Sequence, residues 1–117
     1  MSKRRDHDYV LDIIEALNRL EAYTADLSYE EFWHDTKTQD AVIRNIEVIG
    51  EAVKNLSPRL RRTSPQIPWR DMARARDKLI HHYFGINYEI VWTIATEELK
   101  TLQAKIEAVL TDLRQEK

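Results

Sequence analysis

The sequence predicts an all-α protein: an antiparallel up-and-down four-helix bundle with one short extra helical turn, folded as a single domain over residues 1–117. Three observations carry this. The 117 residues include two Gly and three Pro, where average usage would put about 12% of a chain in these two types. The prolines, Pro58, Pro65 and Pro68, share one short window, so 1–57 and 69–117 are proline-free. Apolar residues then recur at steps of three and four, the period of one helical face. A hydrophobic share of 43% supplies a core, and a domain of this size buries about two-thirds of its unfolded surface.

The first helix is capped by Asp6 or Asp8 and runs to about Thr24, with Val10, Ile13, Leu17 and Leu20 as its apolar stripe. Ser28-Tyr29-Glu30-Glu31 is a capping box that starts a short turn carrying Phe32 and Trp33. A second long helix begins between Thr36 and Asp40, and its seam is Val42, Ile46, Ile49, Val53 and Leu56. Gly50 inside it implies a close helix–helix approach, since Gly costs a helix about 1 kcal/mol against Ala. Ser57-Pro58 ends that helix. The connection 57–68 has room for a helical turn around Arg59 to Arg62. Pro68 opens a third helix expected to run through Arg76 and His81 to Phe84, where Gly85 supplies a left-handed stop. Asn87 caps a fourth helix to about Arg114, with the seam Val91, Ala95, Leu99, Leu102, Ile106, Val109 and Leu113.

Composition removes several function classes. Without cysteine there is no disulfide framework, Cys-ligated zinc, iron–sulfur cluster or thiol catalysis, which fits a reducing cytoplasm. No apolar run exceeds three residues, against about 20 for a membrane span. The opening MSKRRDHDYV has no apolar stretch behind its basic residues and does not read as a signal peptide. The net charge of −2 conceals a pattern: residues 1–58 balance at −5, 59–82 at +5 and 83–117 at −2. Six of the seven central cations are Arg, the side chain suited to bidentate phosphate contacts.

That basic segment also holds the densest chemistry, Arg74-Ala75-Arg76-Asp77-Lys78-Leu79-Ile80-His81-His82-Tyr83-Phe84. On a continuous helix Asp77 and His81 share a face, with Arg74 in the same stripe, and Arg76 shares another with Tyr83. Arg76 and His81 then diverge by about 140°, which suggests that two copies of the chain complete one cleft. His serves as general acid or base near neutral pH. Arg stabilises charge developing on phosphorus, and Asp77 can fix the tautomer of His81 and favour its cation. This set of side chains fits RNA cleavage, in which the RNA 2′-hydroxyl can be the internal nucleophile and no metal is needed. The alternative is a surface Asp77–His81 pair of small structural value with Tyr83 in the core. His81 and His82 point to different faces without a third ligand nearby, which argues against a metal site. Trp33, Trp69 and Trp92 read as core or interface anchors, one of which could stack a base.

Arg76, His81 and Tyr83 form the pattern R-x4-H-x-Y. It stands among Tyr9-Val10-Leu11-Asp12-Ile13-Ile14, Glu31-Phe32, Asp40-Ala41-Val42, Ile49-Gly50-Glu51-Ala52, Ile67-Pro68-Trp69, Gly85 and Val91-Trp92. In this order, over nearly the whole chain, these features resemble the HepT-like toxins of the HEPN superfamily. The resemblance implies a homodimeric helical bundle with the motifs at the interface. It also implies a toxin of a toxin–antitoxin pair, acting as a metal-independent endoribonuclease on RNA. Arg76 and His81 would be catalytic and Asp77 and Tyr83 supporting; the neighbouring Arg70, Arg74, Lys78 and His82 are expected to bind RNA. The implied partner is a minimal nucleotidyltransferase antitoxin, which uses ATP and Mg²⁺ to transfer AMP to Tyr83, the toxin itself holding no cofactor. Asp77 stands where the family often has Asn, and His82 where it often has Gly. The alternative function is a non-catalytic helical module that binds a nucleotidyltransferase and presents substrate to it.

Overall fold

The computed structural model describes residues 4–81 and 85–115, with Ile80 and His81 described by their backbone. The described residues are all-α apart from one two-residue ladder. Helix α1, Asp6–Thr24, buries Val10, Ile13, Leu17 and Leu20. Its N-cap is Arg5 rather than Asp6 or Asp8. The Asp8 carboxylate accepts from the Arg5 amide at 3.0 Å. Asp6, released from capping, accepts from the amide and hydroxyl of Ser57 at 2.9 and 2.6 Å. It thereby ties the start of α1 to the start of α4, Pro58–Thr63.

Helix α2, Tyr29–Trp33, is the expected capping-box turn. The Ser28 hydroxyl accepts from the Glu31 amide at 3.1 Å, and the Glu31 carboxylate accepts from the Ser28 amide at 2.9 Å. Helix α3, Thr36–Lys54, is capped by Asp35, which accepts from the Thr38 hydroxyl and amide. Those two bonds, the hydroxyl's first, hold the Asp35 carboxyl below its ordinary range. Every residue of the expected seam from Val42 to Leu56 is buried.

The third helix departs from expectation. Instead of one rod from Pro68 to Phe84 there are α5, Trp69–Ala73, a turn at Arg74, and α6, Ala75–Leu79. Strand β1, Ile80–His81, then pairs antiparallel with β2, Gly85–Ile86. Ile80 is β-branched, and its ladder partner Ile86 draws the chain out of helix. Gly85 does have positive φ, +79°, but it serves the ladder rather than a helix stop.

Asn87 caps the C-terminal helix through Oδ1, which accepts from the Ile90 amide at 3.1 Å. This helix runs as α7, Tyr88–Thr93, a π turn over Ile94–Glu98, a 3₁₀ turn over Lys100–Leu102, and α8, Gln103–Gln115. The π turn inserts an extra residue per turn, and the tighter 3₁₀ turn follows it. Ala95, Leu99 and Leu102 are all buried across this stretch. Helix α1 packs on α3 and α8, while α3 also receives α5 and α6. No helix among the described residues is long and apolar enough to cross a membrane.

Gly50 sits where α3 meets the end of α5: a Cβ there would lie 3.3 Å from the Ala73 carbonyl oxygen and 3.5 Å from that of Met72. Valine adds two methyls beyond that Cβ, against backbone that cannot rotate away. Gly50→Val is therefore expected to cost about 1–3 kcal/mol, as overpacking typically does. A urea midpoint equal to that of wild type would refute the close approach.

Candidate functional site

The chain leaves α6 at Leu79 and re-enters helix at Asn87, and the Asn87 amide closes the stem by donating to the Leu79 carbonyl at 3.0 Å. Beyond that bond come the pairs Ile80↔Ile86 and His81↔Gly85. His81 thus occupies the last ladder position of a hairpin, on extended backbone. The shared helical face of Asp77 and His81 does not form, because the helix ends between them. The 140° divergence of Arg76 from His81 lapses for the same reason, and the stripe expected to join Arg76 to Tyr83 falls partly outside the described residues. His82, Tyr83 and Phe84 lie outside the described residues.

Arg76 is on α6, about half exposed, with its Nε 2.9 Å from an Oε of Glu47 on α3. An exposed ion pair of this kind contributes little to stability. Its geometric effect is larger. Nε is the inner donor of the guanidinium, so this contact fixes the plane while the terminal nitrogens keep their donors for an anion. No spacing rule points from the sequence to Glu47, which is 29 positions from Arg76.

The other cations differ in setting. Arg70 is on α5, Arg74 in the turn after it and Lys78 on α6; all three are exposed and make no ion pair with any described residue. Lys78 lines a shallow cleft with Pro68, Asp71, Ala75 and Glu98. Asp77 is exposed, and its amide donates to the Arg74 carbonyl at 2.9 Å. This bond helps restart the helix after the Arg74 turn. No group of three or more His, Cys, Asp or Glu among the described residues is placed to hold a metal ion.

Residues from both sides of the hairpin in sequence form an aromatic group. Tyr29 of α2 meets Trp92 of α7 and Trp33 of α2 meets Tyr88 of α7, with ring centroids 6.2 and 5.9 Å apart. Phe32 lies against Trp92 at 5.1 Å. Of the three tryptophans read as anchors, Trp69 is buried and donates its indole N–H to the Ser64 carbonyl at 3.0 Å. Trp92 is half-buried, and Trp33 is 51% exposed.

The family model described as "Ribonuclease HepT-like" matches residues 13–109. "Putative RNase MJ0127" of Methanocaldococcus jannaschii is 47% identical over 116 residues, covering 99% of this chain and 96% of its own. "Probable ribonuclease HepT" of Thermococcus cleftensis is 48% identical over 105 residues, 90% of this chain and 96% of its own. "Putative RNase TTE0752" of the bacterium Caldanaerobacter subterraneus is 37% identical over 102 residues, 87% of this chain and 91% of its own. No solved structure gives a significant match to the chain.

Proposed function

The chain belongs to the HepT-like ribonuclease family, and we propose that it is a metal-independent endoribonuclease and the toxin of a toxin–antitoxin pair. The observation that carries this reading is the R-x4-H-x-Y motif inside the matched region, with its Arg76 exposed and clamped through Nε by Glu47. Arg76 and His81 are the catalytic pair. His81 takes the proton from an RNA 2′-hydroxyl as that oxygen bonds to the adjacent phosphorus, and the 5′-oxygen leaves as a hydroxyl after taking a proton from water. Arg76 holds the negative charge that gathers on the phosphoryl oxygens. Asp77 and Tyr83 support the pair, and Arg70, Arg74, Lys78 and His82 hold the RNA backbone as an electrostatic, sequence-independent surface. The nucleophile belongs to the RNA, so the chemistry requires no metal and no cofactor.

The working unit is a cytoplasmic homodimer of antiparallel four-helix bundles, with the two motifs at the shared face. Its partner is a minimal nucleotidyltransferase antitoxin that adds AMP from ATP, with Mg²⁺, to Tyr83. The Tyr83 oxygen attacks the α-phosphorus, its proton passes to solvent, and pyrophosphate leaves as the Mg²⁺ complex. The added phosphodiester carries a negative charge suited to pairing with Arg76, and the nucleoside bulk obstructs RNA entry. Intact-mass analysis after incubation with the partner, ATP and Mg²⁺ tests this regulation. Wild type is expected to gain AMP mass and lose cleavage, and Tyr83→Phe to gain none. Equal modification of both proteins, or modified wild type that still cleaves RNA, would overturn it.

A further inference from the structure

One large surface feature takes no part in the Arg76–His81 chemistry. Trp33 is 51% exposed and Tyr29 36% exposed, yet both are firmly placed. The capping box fixes α2 at one end. At the other, the side-chain amide of Gln39, itself buried, donates to the carbonyls of Phe32 and Trp33 at 3.0 and 2.9 Å. Tyr88 and Trp33 meet edge-to-face with centroids 5.9 Å apart, and Tyr29 sits 6.4 Å from Trp33. A buried amide spent on presenting a half-exposed indole is poorly explained by core packing.

The rings border a cleft of about 440 Å³ whose lining includes Tyr29, Trp33, Tyr88, Ile86 and Glu89. Ile86 and the adjoining Gly85 are strand β2, the ladder partner of Ile80 and His81. The cleft therefore begins one strand away from the proposed general base. Its charge sorts the possible occupants. The Glu89 carboxylate repels a phosphate but accepts hydrogen bonds from the amino edge of a base. An open cleft bordered by aromatic rings suits one planar group better than the broad contact of about 800 Å² that each partner brings to a stable protein interface. Single-stranded RNA is commonly held with its unstacked bases laid on aromatic faces.

We propose that the Tyr29–Trp33–Tyr88 cleft, which borders strand β2, binds an unpaired nucleobase of the RNA substrate. The proposal rests on the ribonuclease reading above and adds a base subsite to it. It makes unpaired RNA the substrate class: a base locked in a duplex cannot enter the cleft.

A fluorescent 2′-O-methyl oligoribonucleotide, whose blocked nucleophile prevents cleavage, serves as the probe. Trp33→Ala is expected to weaken its binding by about 5- to 150-fold, the effect of one lost base stack. A single abasic position in the oligonucleotide should weaken wild-type binding by a similar factor and Trp33→Ala no further. Trp33→Phe keeps an aromatic ring at this position; it should retain most of the affinity while losing the tryptophan quenching expected of wild type. Unchanged affinity in Trp33→Ala, in a protein that still cleaves RNA, overturns the subsite and leaves the ribonuclease reading intact. Unchanged affinity together with an altered sedimentation mass overturns it in favour of a protein contact at this surface. A wild-type protein that neither binds nor cleaves RNA overturns both.

Discussion

His81→Ala and Arg76→Ala are each expected to lower the rate of RNA cleavage by at least about a hundredfold, with helix content unchanged. The figure is the lower end of what one general acid–base group or one charge-stabilising donor contributes to a transition state. Folding is spared for reasons local to each residue. His81 contributes its backbone to the ladder with Gly85, and alanine retains that backbone. Arg76 is about half exposed, and its partner Glu47 is 41% exposed, so removing the guanidinium leaves a carboxylate that water can solvate. Arg76→Lys should fail to rescue activity. Its ammonium is a point charge at the end of a flexible stem and cannot hold Glu47 with an inner nitrogen while offering two outer ones to a phosphate. Chelation by EDTA should leave wild-type cleavage unaltered. Cleavage that survives both alanine substitutions, or that disappears with EDTA, would sink the mechanism.

The sequence disclosed those parts of the fold that obey a local rule. The Ser28–Glu31 box and the Asn87 cap each use a side chain three residues from the amide it satisfies, and both formed as expected. The seams of α1 and α3 follow the helical period and are buried. The rule failed between 74 and 86, where the residues look helical one at a time. What breaks the helix is pairing: the Leu79 carbonyl finds the Asn87 amide, and Ile80 finds Ile86. These are competitions between near-equal backbone partners, and no window centred on His81 shows which one wins.

The same distinction applies to the site. The R-x4-H-x-Y motif was legible because it is contiguous. Glu47 was not, because its bearing on Arg76 exists only once α3 and α6 touch. The aromatic cleft was half legible. The i, i+4 spacing of Tyr29 and Trp33 puts them on one helical face, but their meeting with Tyr88 and Trp92 depends on how α2 docks on α7.

Phe32→Ala is expected to be the most damaging substitution to stability, at about 3–5 kcal/mol, the usual cost of truncating a buried aromatic. Native domains hold only about 5–15 kcal/mol in total. Phe32 is fully buried, with its ring 5.1 Å from that of Trp92, and it is the one buried residue of α2. A five-residue helix has almost no stability of its own. Without that ring, α2 keeps its capping box and the two bonds from Gln39, but loses the apolar contact that holds it down. The substitution should therefore do two things that His81→Ala does not: lower the urea midpoint strongly and release the Tyr29–Trp33 face. Phe32→Leu, which refills most of the volume, should recover a large part of the stability. A Phe32→Ala midpoint within about 1 kcal/mol of wild type would mean that α2 is held by its hydrogen bonds alone, and that its aromatic face is not anchored through the core.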